Sequence, residues 1–223
     1  MTGKIAEVFE GIQGEGIYLG ERQVFVRFFG CNLNCNFCDT HPEHFKEYKT
    51  DTLFSQIKSY VKKFHSISFT GGEPLLQKDF LKEILKLTKN EGFINYLETN
   101  GTLFNELNEV IGQIDIVAMD FKLPSSTGQP LLWHAHRRFL KIASSKEVFL
   151  KAVICSSTQE GDLFEALKLI MEINPSATLV LQPNSQENHA GLKEKLDGFK
   201  RICDEHAVVS CVIPQVHKVM GVK

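Results

Sequence analysis

The sequence predicts an α/β protein built as an incomplete TIM-like (β/α) barrel of about six parallel strands. Three observations carry that prediction. Short runs rich in β-branched and aromatic residues alternate with amphipathic stretches along the chain, the pattern of parallel strands joined by right-handed helical crossovers. Polar and glycine-rich phrases follow one strand after another, at the ends where such sheets gather functional groups. The 223 residues hold about six strand–helix units but not comfortably eight. An open doubly wound sheet is the other arrangement of the same elements. No low-complexity stretch, long linker or internal repeat divides the chain, so residues 1–223 are read as one domain.

Taken in order, strands are predicted at 23–29, 66–70, 94–98, 114–121, 147–154, 178–182 and 208–213. Between the first two, residues 52–64 place Leu53, Ile57, Tyr60, Val61 and Phe64 on one helical face, with Thr50 or Asp51 as the cap. Residues 80–87 and 163–173 repeat that periodicity, the latter with Ser157 or Thr158 as its cap. The strand-end phrases are GCNLNCNFCDT after the first strand, TGGEP after the second, ETNG after the third, DFK after the fourth and QPN after the sixth.

An apolar share of 43% and a charged share of 23% suit a packed core and argue against disorder. A net charge of −2 gives no electrostatic reason to expect a direct nucleic-acid partner or an acidic lipid surface. The opening MTGKIAEVFEG lacks the basic-then-apolar pattern of a signal peptide, and the longest apolar runs are too short to span a bilayer and carry Arg27 or Lys151. A cytoplasmic protein with no membrane partner is expected. Cys31, Cys35 and Cys38 fall within eight residues, a cluster that in a reducing compartment points to metal. Cys155, Cys203 and Cys211 are scattered among apolar neighbours, and Cys155 and Cys211 read as small core residues.

Three thiolates spaced C-x3-C-x2-C on one loop can wrap a cubane cluster and leave its fourth iron open to an exogenous ligand. A zinc site completed by His41 or His44 is the competing chemistry, although structural zinc sites mostly use paired knuckles. Two glycines at a strand end, Gly71 and Gly72, let a ligand approach the backbone, and Glu73 can pair with a cation.

The cysteine run, with aromatic Phe37 before its last member, resembles the signature of the radical S-adenosylmethionine (SAM) superfamily, and Thr70-Gly71-Gly72-Glu73-Pro74 resembles its second-strand GGE motif. The resemblance implies a [4Fe–4S] cluster on Cys31, Cys35 and Cys38, with SAM chelating the open iron through its amino and carboxylate groups. It places the GGE backbone and carboxylate at the ammonium and Phe37 near the adenine. Cleavage of the sulfonium C–S bond by an incoming electron then gives a 5′-deoxyadenosyl radical. The phrases Glu7-Val-Phe-Glu-Gly-Ile-Gln-Gly-Glu-Gly-Ile-Tyr-Leu-Gly20, Val26-Arg-Phe-Phe-Gly-Cys31, Cys38-Asp39-Thr40, Glu98-Thr-Asn-Gly101 and Pro214-Gln-Val-His-Lys218 are similar to the 7-carboxy-7-deazaguanine synthases, from about residue 8 to residue 221. That likeness implies a lyase of queuosine and deazapurine biosynthesis that turns 6-carboxy-5,6,7,8-tetrahydropterin into 7-carboxy-7-deazaguanine with loss of ammonia and regenerates SAM. Magnesium, a homodimer, and flavodoxin or ferredoxin as electron donor are implied with it.

Carried over residue by residue, the likeness assigns the substrate to Ile12, Gln13, Gly14, Glu15, Arg27 and Thr70. A glycine-rich turn accounts for Gly14 and Gly16 but not for the polar pair Gln13 and Glu15, which suit the donor and acceptor edge of a pterin. Arg27 stands among Val26, Phe28 and Phe29, where a guanidinium is costly unless paired. The family's partner for it is the substrate carboxylate; an internal Asp or Glu is the plainer one. Cofactor contacts are implied for Phe37, Cys38, Asp39, Gly72, Glu73, Glu98, Asn100, Asp120, Phe121, Lys122, Gln182, Pro183 and Asn184, and a magnesium contact for the Thr40 hydroxyl. No side chain is assigned as catalytic beyond the cluster and the SAM radical. His217 reads as a tail-docking residue, and the 41–45 loop departs from the family pattern. Two other functions fit part of the pattern: a radical SAM activase acting on a protein partner, and a zinc-stabilised binding module.

Overall fold

The computed structural model describes residues 1–40, 42–60 and 63–216. Segments such as IVAMD and LVLQP carry apolar side chains on both faces, so each strand needs cover on two sides. The elements are β1 (Thr2–Ile12), β2 (Arg22–Phe28), β3 (Lys46–Lys49), α1 (Thr50–Ser59), β4 (Ser66–Gly71), α2 (Lys78–Asn90), β5 (Asn95–Thr99), α3 (Phe104–Val110), β6 (Ile116–Asp120), α4 (Pro124–Thr127), α5 (Trp133–Ala143), β7 (Glu147–Ile154), α6 (Glu160–Ile173), β8 (Leu179–Pro183), α7 (His189–Glu205) and β9 (Ser210–Val212).

They form one nine-stranded sheet in the order β3-β1-β2-β4-β5-β6-β7-β8-β9. From β2 to β9 every neighbouring pair is parallel and the order never reverses. Right-handed crossovers in an unreversed order all fall on one face, so the helices cover the outer face and the sheet curls around the inner one. A doubly wound sheet needs a reversal and is ruled out; the fold is an open, incomplete barrel. All seven expected strands are present, giving seven parallel strands where about six were expected.

The inner face is layered by the strand period of two. Tyr96, Ile116, Phe149 and Val180 form an apolar plug near the amino ends of β5 to β8, joined by Tyr18, Cys211 and Ile213. Two residues further along the same strands come Glu98, Lys151 and Gln182, and Asp120 ends β6. The alternation thus converts an apolar floor into a polar cup at the carboxyl ends. The outer face packs Leu97, Val117, Leu150 and Leu181 against the helices in the main core.

Two strands escape the sequence pattern. β1 pairs antiparallel with β2, and a register shift between Ile5 and Glu7 breaks its alternation. β3 is four residues long with three of them charged, and pairs antiparallel with β1 at the sheet edge. The expected caps are also corrected. The residue at the start of α1 is Lys49, without a side-chain cap bond, because the Thr50 hydroxyl is engaged with Glu83. α6 begins after Gln159, whose N–H donates to Ser125 Oγ, while the Thr158 hydroxyl accepts from the Cys155 N–H. Cys155 is buried as expected of a core residue, Cys211, also expected in the core, is half-buried against the plug, and Cys203 is buried as well. Among the described residues no helix is long and apolar enough to cross a membrane.

Candidate active site

The polar cup opens into a cavity of about 630 Å³ that reaches from the loop after β1 to the loop after β8. Its floor is a chain of hydrogen bonds. Gln13 Nε2 donates to Gln23 Oε1 at 3.0 Å and to Glu98 Oε1 at 2.8 Å. Glu98 also accepts from the hydroxyls of Ser68 at 3.2 Å and Thr70 at 2.8 Å. The loop after β1 and the strands β2, β4 and β5 are thereby tied together beneath the cavity, and Glu98 is held as an acceptor.

The loop after β2 carries the three cysteines, all free thiols lining the cavity. Neighbouring segments pin this loop: the Asn36 N–H donates to the Thr127 carbonyl at 3.0 Å, and Gln129 Nε2 to the Asn34 carbonyl at 2.6 Å. Asn100 Nδ2 reaches Asn32 Oδ1 at 2.8 Å and Cys31 Sγ at 3.8 Å, and the Leu33 N–H points to the same sulfur at 3.5 Å. Burial pushes the Cys35 thiol up to about 11, while the Lys122 ammonium pulls the other way. Lys122 lies over the Phe37 ring, 5.5 Å from its centroid, and donates to Asp120 at 2.8 Å.

The two glycines after β4 are required by the chain itself. Gly71 has φ +124°, and a Cβ there would lie 2.3 Å from the Phe28 carbonyl oxygen; one on Gly72 would lie 1.9 Å from the Gly30 carbonyl oxygen. The end of β4 therefore presses against the root of the cysteine loop. Glu73 follows and turns inward. Fully buried, it accepts from the N–H groups of Leu75 at 3.2 Å and Asn100 at 2.8 Å and from the Thr99 hydroxyl at 3.0 Å. Burial outweighs these donors and raises its carboxyl from 4.5 to about 7.

Protonation of Glu73 therefore favours the folded state, a contribution that is complete below about pH 4.5 and is lost as the pH rises through about 7. Glu73→Gln is expected to lower Tm overall, because one N–H loses its acceptor. It should also remove a pH-dependent loss of about 3 kcal/mol, read as a flatter plot of Tm against pH across that window.

The donor set fits the groups that the cysteine run calls for. Three free thiols share one anchored loop, with N–H donors and a cation close by that would offset the cost of burying thiolate charge and tune an iron–sulfur cluster. Among the described residues no three His, Cys, Asp or Glu side chains gather closely enough to chelate one ion, whereas a cubane spreads its thiolates over separate irons. His41 lies outside the described residues. Two buried acceptors on the cavity wall, Asp120 Oδ1 and Gln182 Oε1, have no partner among the described residues and suit a ligand rich in N–H and O–H donors.

The radical SAM superfamily model matches residues 25–158. The chain is 35% identical to the 7-carboxy-7-deazaguanine synthase of Geobacter sulfurreducens, over 98% of this chain and 97% of that protein. It is 32% identical to the enzyme of that name from Methanothermobacter thermautotrophicus, over 100% and 99%. The chain belongs to the 7-carboxy-7-deazaguanine synthase family of radical SAM enzymes. The crystal structure of QueE from Escherichia coli superposes with a TM-score of 0.67 at 19% identity, over 95% of this chain and 94% of that one, a likeness of fold.

Most residues expected of this deazaguanine synthase family line the one cavity: Ile12, Gln13, Gly14, Glu15, Arg27, Cys31, Cys35, Phe37, Cys38, Asp39, Thr40, Thr70, Gly72, Glu98, Asn100, Asp120, Lys122, Gln182 and Asn184. Three expected residues do not line the cavity. The Glu73 carboxylate is enclosed by β5 backbone and the Thr99 hydroxyl and does not face the cavity. Phe121 is 1% exposed and packs outward against Trp133 and His136. Pro183 is buried as the last residue of β8, opposite Ile154. Gln13 faces the cavity, but its amide is committed: Nε2 serves Gln23 and Glu98, and Oε1 accepts from the Glu15 N–H at 3.0 Å. His217 lies outside the described residues.

Two groups were missed from the sequence. Lys151, buried on β7, reaches into the cavity and donates to Glu15. Gln215 donates from the C-terminal segment to Glu15 at 2.6 Å and to Asp39 at 3.3 Å. Lys151 had the same signal as Arg27, a cation inside an apolar strand.

Proposed function

We propose that this chain converts 6-carboxy-5,6,7,8-tetrahydropterin to 7-carboxy-7-deazaguanine with release of ammonia. The observation that carries the reading is one cavity holding three free thiols at its rim, a guanidinium on its wall and a hydrogen-bonding floor. Its volume suits a small heterocycle beside a nucleoside cofactor. A [4Fe–4S] cluster with bound SAM supplies the radical chemistry when present.

Cys31, Cys35 and Cys38 would hold that cluster, with the Asn100 amide and the Leu33 N–H stabilising charge on Cys31 sulfur. Asp120, Lys122, Gln182 and Asn184, at the ends of β6 and β8, would orient SAM, and Phe37 would offer its ring to the adenine. Arg27 now meets Glu7 through one long bond of 3.3 Å, and its remaining donors have no partner among the described residues. That leaves a fork suited to the pterin carboxylate. Glu15, the backbone of Ile12 and Gly14, and Thr70 would read the heterocycle edge.

Thr40 and Asp39 stand together at the rim, Thr40 Oγ1 donating to Asp39 Oδ1 at 3.1 Å, and would offer oxygens to a magnesium ion whose shell water and substrate complete. The enzyme would act in the reducing cytoplasm as a homodimer and take electrons from a flavodoxin or ferredoxin. Ammonia release equal to pterin consumption, with no second protein present, is the expected result. A protein-bound glycyl radical formed on an added partner, with the pterin untouched, would favour the activase reading.

A further inference from the structure

We infer that Lys151 is a positioning residue for substrate recognition: it aims Glu15 into the cavity and, through Glu15, seats the C-terminal segment across the mouth. The inference rests on the pterin reading above. Lys151 lies mid-strand on the inner face of β7, between Phe149 of the plug and Val153 of the cavity wall. Its residue exposure is 6%. An ammonium so placed needs a partner, and a role confined to stability would be met by an apolar side chain of similar length.

It donates a hydrogen bond to Glu15 Oε2, 136 residues away in sequence on the loop after β1. The carboxylates of Glu98 and Asp120 also act on it from β5 and β6, and with Lys122 it is one of two ammonium groups set among the acidic side chains of the cup. Glu15 is then held from three directions. Gln13 Oε1 accepts from its N–H, Lys151 fixes Oε2, and Gln215 Nε2 donates to Oε1. Gln215 continues to Asp39 beside the cysteine loop, and the Val216 N–H donates to the Gly14 carbonyl at 3.0 Å. The carboxylate that would meet the N–H edge of a pterin is therefore also the anchor of the segment closing over it. Without Lys151 that carboxylate loses its fixed direction, and the segment loses its seat.

The test uses the full chain with its cluster reconstituted anaerobically and 6-carboxypterin, the fluorescent oxidised analogue, as the probe. Lys151→Met is expected to weaken 6-carboxypterin binding at least about tenfold and to raise KM more than it lowers kcat. Hydrogen exchange at the Val216 amide should speed up. Lys151→Arg should restore part of the binding. In combination with Glu15→Gln it should cost no more than the worse single variant, since the two act as a unit. Lys151→Gln gives the same readouts if the methionine variant does not fold. Binding within about twofold of the parent, or losses from Lys151 and Glu15 that multiply, would overturn the inference alone. A parent enzyme that cleaves SAM but does not bind 6-carboxypterin would overturn the pterin reading and the inference together.

Discussion

Alanine at Cys31, Cys35 or Cys38 is expected to abolish reductive SAM cleavage, a loss on the order of 10³-fold or more, equivalent to at least about 4 kcal/mol on the barrier. Each thiolate would hold a different iron, so removing one leaves a cluster with an exposed second site instead of a weaker version of the same cluster. The fold should tolerate the change. Cys31 is exposed and the other two are half-buried on a loop that Thr127, Gln129 and Asn100 anchor by other atoms. Tm should therefore stay within the range of surface substitutions, about 0.5 kcal/mol in stability, while iron content and cleavage collapse. A variant that keeps full cleavage contradicts the cluster assignment.

Arg27→Ala is expected to lower kcat/KM for the carboxypterin by roughly 10²- to 10³-fold, about 3–4 kcal/mol, with iron content and cluster absorbance unchanged. The size follows from losing a forked, charge-assisted contact inside a cavity. Were Arg27 only the partner of Glu7, the change would remove a half-exposed pair with one long bond, worth about 1 kcal/mol or less, and would appear in Tm instead of turnover. Arg27→Lys should rescue little, because a single ammonium cannot reproduce two parallel donors. An unchanged kcat/KM in the alanine variant refutes the carboxylate role.

The parallel part of the fold was legible because burial on two faces leaves continuous apolar runs that mark each strand. Strand 147–154 coincides with β7, and the other six differ by a few residues at their ends. β1 was not legible: its bulge at Ile5/Glu7 breaks the alternation, and most of its residues are only half-buried. β3 carries almost no apolar signal, its one buried residue being Tyr48. α5 was hidden by its polar composition, WHAHRRFLKIA, although His136, Phe139, Leu140 and Ala143 form its buried face. His136 sits beneath Asn100, where burial lowers its pKa to about 3 and keeps it neutral. In α7 two glycines interrupt a stripe made by Leu192, Leu196, Phe199 and Cys203.

The candidate site was legible through its strand-end phrases, and these do converge on one cavity. What a motif cannot supply is direction. Glu73 sits in the right phrase but points into β5, and Phe121 sits in DFK but points into the helices. Both residues lie just past the ends of their strands, Glu73 beyond β4 and Phe121 after β6, where the phrase alone does not set the direction of a side chain. The C-terminal contact was legible only as a phrase, because its partners, Glu15, Asp39 and Gly14, lie some 200 residues earlier.

The most direct measurement is a single anaerobic reaction. The protein is reconstituted with iron and sulfide, incubated with dithionite, SAM, magnesium and 6-carboxy-5,6,7,8-tetrahydropterin, and the products are read by mass. Formation of 7-carboxy-7-deazaguanine, dependent on SAM and the cluster, is the predicted result. A reconstituted cluster that cleaves SAM while the pterin persists unchanged would contradict the account.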